Sequence, residues 1–89
     1  MTVRWSRRAF SDVAGIYSYI AADNGDAAAR VVDRLYAAGE GLAGFPLMGR
    51  ASRFAGRREL VVESYGLTYS IRRSEVHILA VEHGARTRG

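Results

Sequence analysis

The chain of 89 residues contains no cysteine and no lysine, a single proline and no apolar run approaching the length of a bilayer. Without cysteine there are no disulfides and no thiolate ligands, and two histidines, His77 and His83, are a poor start for a zinc site. No metal and no cofactor is therefore expected. A membrane-crossing helix needs about 20 consecutive apolar residues, and none are present, so no membrane partner is expected. The opening "MTVRWSRRAF" has no apolar core of the kind a secretion signal carries, which points to the cytoplasm. Disorder is excluded by composition, because 48% of the residues are hydrophobic. The length suits one domain, residues 1–89, with a modest core.

What the chain does have is arginine. All 13 basic residues are arginine, whose permanent charge and planar donor fork suit carboxylates and phosphates. An alanine-, glycine- and arginine-rich chain without lysine is also what GC-rich coding produces. Position says more than number. Residues 1–45 hold five arginines and five acids, whereas residues 46–89 hold eight arginines and four acids, so the net charge of +4 lies in the second half. Such lopsidedness suits an acidic partner or nucleic acid on one face.

Periodicity divides the chain in the same place. "TVRWS" reads as a short strand ending at Ser6, a good helix N-cap. In "RRAFSDVAGIYSYIAADNG" the residues Phe10, Val13, Tyr17 and Ile20 recur at steps of three and four, joined by Ala14, Ile16 and Ala21, which predicts an amphipathic helix. Asn24-Gly25 ends it, and Asp26 is placed to cap the next. A second helix through "AAARVVDRLYAAGEGLAGF" has Val31, Val32, Leu35, Ala38, Leu42 and Phe45 as its stripe, with Pro46 as its stop. So short a connection makes the pair an antiparallel hairpin.

"PLMGRASRFAG" has no period and reads as a loop. Beyond it the period is two: "RRELVVE" is a strand, "SYG" a turn, "LTYSIRR" a strand, Arg73-Ser74 a turn, and "EVHILAVEH" a strand apolar on both faces. The expected order is β-α-α-β-β-β, an α+β domain whose small, antiparallel-rich sheet carries the helical hairpin on one face. In the strand hairpin, Arg57-Arg58 and Arg72-Arg73 fall at the same end.

With "SRRAFSDVAGIYSYIAADN" before "AAARVVDRLYAA", then "LAGFPLMGR", "RRELVV" running into "SYGLTYSI", and finally "VHILAVEHGAR", the chain resembles the ParE toxins of the RelE/ParE toxin–antitoxin superfamily over nearly its whole length. The resemblance implies a RelE/ParE-like fold and a toxin neutralised by a ParD-like or other DNA-binding antitoxin. It implies one of two actions: RelE-like members cut messenger RNA in the ribosome, whereas ParE members poison DNA gyrase. It implies no sequence-specific nucleic-acid binding by the toxin alone.

Metal-free RNA cleavage needs a base, an acid and at least one cation converging on one phosphate. YoeB-like nucleases of the superfamily supply a loop glutamate, an arginine opening a strand and a terminal His-Tyr pair. Their places here fall near Phe45, at Gly66 and at His83-Gly84, so one group of four is retained. The expectation is a toxin that works by binding, with no catalytic residues. Its candidate antitoxin- or target-binding residues are Arg57, Arg58, Arg72, Arg73, His83 and Arg86. If the chain is a nuclease instead, Arg58, His83 and Arg86 are the set. Trp5, Tyr17, Tyr19 and Tyr36 are expected in the core or at its margin, and any left exposed on the hairpin would be anchors for an antitoxin.

Overall fold

A computed structural model describes residues 1–84. The elements run β1 (Thr2–Trp5), α1 (Arg7–Ala21), α2 (Gly25–Gly41), β2 (Arg50–Ala51), β3 (Arg58–Val62), β4 (Tyr65–Arg72) and β5 (Glu75–His83). One sheet in the order β1-β5-β4-β3-β2 carries both helices on one face; β1 lies parallel to β5 and the other pairs are antiparallel. This is the α+β arrangement expected, with one addition. The segment read wholly as loop contributes a two-residue strand, β2, to the outer edge of the sheet.

The Ser6 hydroxyl starts α1 by accepting from the Ala9 N–H at 3.0 Å, and it donates to the Leu79 carbonyl at 2.9 Å. One side chain thus sets the helix start and fixes it to β5. Ala9 and Val13 are buried and Ile16 packs against them, a stripe at steps of four and three. Phe10 and Tyr17, expected at the centre of that stripe, are half-exposed. The buried line runs through Ala9, one residue earlier, because a small residue lets the helix approach the sheet.

Asn24, not Asp26, caps α2, accepting from Ala27 N–H at 3.0 Å; Asp26 sits in the first turn, where its charge favours the positive helix end. Ala28, Leu35, Gly39 and Leu42 are buried. A Cβ on Gly39 would strike the Trp5 ring and come within 2.8 Å of Ile78 Cδ1, so the helix backbone rests directly on Trp5. The helix ends at Gly41, and Phe45, beyond the last periodic turn, is exposed rather than part of the stripe.

Beneath the helices the sheet buries Leu67, Tyr69, Val76, Ile78 and Val81, with Val3, Trp5, Leu60, Val62 and Ile71 partly covered around them. Each fully buried aliphatic side chain contributes roughly 1.5–3 kcal/mol relative to exposure. Thr68 pairs with Ala80 but Tyr69 pairs with Ile78, so Leu79 is an extra residue in β5, a bulge. The alternation flips there: Val76 and Ile78 face the helices before it, Val81 and His83 after it. His77, paired with Ser70, consequently points to the opposite face from His83.

The first strand turn is Glu63-Ser64, with Glu63 at φ 56°; Tyr65 and Gly66, expected in that turn, belong to β4. The second turn is Arg73-Ser74, as expected, with φ 53° and 62°. Two positive φ values in a two-residue hairpin match the right-handed twist of the flanking strands.

Candidate functional site

β1 stops opposite Ile78, yet β5 continues to His83. Helix α1 takes the place that β1 leaves. Ser6 N–H donates to the Ile78 carbonyl at 2.9 Å, and Asp12 Oδ2 accepts from the Val81 N–H at 2.9 Å. Arg8 reaches both carboxylates here, Asp12 at 3.4 Å and Glu82 at 2.8 Å.

Between α1 and the ends of β4 and β5 lies a groove of about 480 Å³, lined by Asp12, Gly15, Ile16, Tyr19, Tyr65 and His83 among others. The His83 ring tilts against Tyr65, its cross-strand partner, with centroids 5.2 Å apart. Burial pushes the Tyr65 phenol above its ordinary value of 10.0, and Glu63 and Tyr19 push it further. At neutral pH it is therefore a neutral hydrogen-bond donor. The groove brings together an imidazole, a phenol and a carboxylate, but the carboxylate is already engaged by the Val81 amide and Arg8.

The arginines expected to act together lie at the other end of the sheet. Arg58 opens β3 opposite Tyr69, on the helix side. Its guanidinium donates from Nε and Nη2 to the Gly49 carbonyl at 3.0 and 2.7 Å, and from Nη2 to the Leu47 carbonyl at 3.3 Å. The Tyr69 hydroxyl donates to Pro46 O at 2.8 Å and accepts from Gly49 N–H at 2.9 Å. Arg58 thus fastens the loop after α2. Arg57, Arg72 and Arg73 are exposed around it, and among the described residues none of the three meets a carboxylate.

Register measures the separation of the two ends. Arg58 pairs with Tyr69 and His83 with Tyr65, four residues apart along β4 and two strands apart across the sheet. At about 3.3 Å per residue and 4.8 Å per strand, their backbones are roughly 16 Å apart. Arg86 lies outside the described residues. Of the positions matching the nuclease pattern, Phe45 is exposed at the end of the helical hairpin and Gly66 is buried opposite Glu82.

Among the aromatic candidates, Trp5 and Tyr36 are half-buried and pack together with centroids 4.7 Å apart, the Trp5 indole donating to Glu40 at 2.8 Å. Tyr17 is exposed, and Tyr19 is 83% exposed at the rim of the groove. Asp12, Tyr65 and Tyr69 were not among the sequence candidates. Asp12 had a signal in its place four residues after Arg8, off the apolar stripe.

The sequence profile of the ParE toxin of the type II toxin–antitoxin system parDE matches residues 3–88. The chain is 43% identical over 83 residues to the Sinorhizobium fredii protein Y4kP, which carries a toxin designation, covering 91% of this chain and 85% of that one. It is 36% identical over 84 residues to toxin RelE2 of Caulobacter vibrioides, covering 94% and 96%. In fold it is similar to the chromosomal ParDE toxin–antitoxin system of P. aeruginosa, with a TM-score of 0.84, 24% identity and coverage of 93% and 95%. The toxin–antitoxin complex RelBE2 of Mycobacterium tuberculosis gives a TM-score of 0.72, 25% identity and coverage of 92% and 88%. Profile, relatives and fold agree, and the chain belongs to the ParE toxin family of type II toxin–antitoxin systems, within the RelE/ParE superfamily.

Proposed function

We propose that this toxin acts by gripping its target, DNA gyrase, in the cytoplasm, and that a cognate antitoxin neutralises it. The observation that carries this reading is the spending of Arg58 on the Gly49 and Leu47 carbonyls, roughly 16 Å from His83. RNA cleavage without a metal needs a cation at the phosphate while a base and an acid work on either side of it. His83 has a neutral phenol beside it and a carboxylate in the same groove, but that carboxylate accepts from an amide and lies against Arg8. A protein that binds needs no such convergence, only surface. The antitoxin half of the reading draws support from RelBE2, a structural relative solved as a toxin–antitoxin complex.

Endoribonuclease action is the second reading, favoured by the pairing of His83 with Tyr65 in one groove. Purified chain added to gyrase supercoiling and to ribosomal translation assays separates the two. Loss of supercoiling with intact messenger RNA is expected. Cuts placed at codons in ribosome-bound transcripts would overturn the proposal, and normal growth on expression of the chain alone would mark it as a non-toxic relative.

A further inference from the structure

The loop after α2 displays apolar side chains to solvent: Phe45 and Leu47 are each 67% exposed, Met48 59% and, further on, Phe54 57%. Three large apolar residues within four positions make a patch of the kind that marks an interaction site. The loop beneath them is held rigidly. Tyr69, fully buried, takes Pro46 O and Gly49 N–H on one hydroxyl, and Arg58 takes two carbonyls. Gly49 is buried below, where a Cβ would lie 2.7 Å from both the Glu59 carbonyl and the Tyr69 hydroxyl. A core tyrosine, an arginine and an obligatory glycine together fix a segment whose own apolar side chains face outward. Such preorganisation lowers the ordering cost of binding.

Charge says what fits there. Arg4, Arg8, Arg34 and Arg50 each meet a carboxylate. Arg53, Arg57, Arg72 and Arg73, at this end of the molecule, meet none among the described residues. Arg53 lies over the Phe54 ring, 5.3 Å from its centroid. Leu47, Phe54, Arg57, Arg58 and Ile71 line a groove of about 360 Å³ between loop and sheet. A second copy of this chain would set arginines against arginines. Nucleic acid would satisfy the arginines and stack on Phe45 and Phe54, but it would leave Leu47 and Met48 without an apolar partner. Acidic residues flanking an apolar anchor satisfy both halves of the patch.

We propose that this shelf docks an acidic segment of the antitoxin, with an apolar side chain in the Leu47–Phe54 groove and carboxylates against Arg53, Arg57, Arg72 and Arg73. The proposal rests on the reading that an antitoxin neutralises this chain, and it adds the surface and the chemistry. Calorimetric titration with the full-length cognate antitoxin tests it at low and high salt. The variants are Arg53→Gln/Arg57→Gln/Arg72→Gln/Arg73→Gln and, separately, Leu47→Ser/Phe54→Ser; all six positions are exposed, so folding should be retained and circular dichroism checks it. Each variant should bind about tenfold or more weakly, the arginine variant with a flatter salt dependence. Arg30→Gln, an exposed arginine of α2 away from the shelf, should stay within about twofold. Unchanged affinity in both shelf variants overturns the assignment. So does retained antitoxin affinity with lost inhibition of the target, or with lost binding of a single-stranded RNA oligonucleotide, since either gives the shelf to another partner. If the unmodified chain binds no antitoxin, the neutralisation reading fails as well, an outcome distinct from wild-type binding that the variants leave untouched.

Discussion

Asp12 stands where a strand would otherwise be. β1 ends opposite Ile78, and the Val81 N–H beyond it finds the Asp12 carboxylate at 2.9 Å instead of a backbone carbonyl. Asp12→Ala removes the acceptor and should cost about 1–3 kcal/mol, the usual penalty for a buried donor left unpaired. Asp12→Asn keeps an oxygen for the amide and gives up only the exposed contact with Arg8, so it should lose less. Urea midpoints rank the three proteins, and equal midpoints for wild type and Asp12→Ala would remove this role. Tyr65 gives a pH signature in the same groove. Its phenol is raised above 10.0, first by burial, so the fold favours the neutral form. That contribution is complete below the unfolded value and is lost as pH rises through the folded one. Wild type should therefore lose stability above about pH 10, and Tyr65→Phe should lose less over the same range, as denaturation midpoints between neutral and alkaline pH would record. Sequence reasoning reached His83, since a histidine at a strand end is conspicuous, but neither partner. Asp12 looks like any solvated helix carboxylate until the strand beside it is known to be short. Tyr65 was hidden by the glycine after it, which suggested a turn.

Both helices were legible because their signals are local: Ser6 at the first cap, a break at Asn24-Gly25, apolar steps of three and four, and a stop before Pro46; the second cap was expected at Asp26 and is Asn24. Of the long strands, β4 was legible from its alternation and β5 from an apolar run following a turn. What escaped depends on strand pairing, not on a local pattern. β2 is two residues held only by its pairing with Arg58 and Glu59, and no period can register over that length. The bulge at Leu79 is invisible too, because an apolar run on both faces reads the same in either register. Its consequence is large, for the inserted residue puts Val81 and His83 on the helix side. Inserting one alanine between Ala80 and Val81 should send Val81 outward and Glu82 toward Ile16 and Tyr65, and the cooperative unfolding transition should disappear. A variant with a sharp transition near the wild-type midpoint, measured by circular dichroism, would mean that the alternation can be restored elsewhere in β5.

For the molecule as a whole, the lopsided charge becomes a matter of placement. The neutral first half forms β1 and the helical hairpin, and the basic second half forms the loop and the remaining strands. Within that half, β4 separates two surfaces: a groove with Asp12, Tyr65 and His83 at one end, and a cationic, apolar shelf at the other. Sequence pairing of Arg57-Arg58 with Arg72-Arg73 foresaw the shelf's position. It did not foresee that Arg58 would be consumed in holding the loop, because its partners are backbone carbonyls that every sequence has. This division makes His83 the sharpest test of how the toxin works. A binding toxin uses the imidazole, if at all, as one surface contact among many, so His83→Gln should inhibit supercoiling within about twofold of wild type. A nuclease using it for proton transfer would lose about 10²- to 10⁴-fold in rate. His83 is exposed and its ring contact with Tyr65 lies at the margin of the core, so the variant should fold, and thermal unfolding checks that it does. Inhibition by His83→Gln equal to wild type, with no transcript cut by either protein, is the expected result. A collapse of activity in a folded variant would move the chemistry into the groove and end the account of a toxin that only grips.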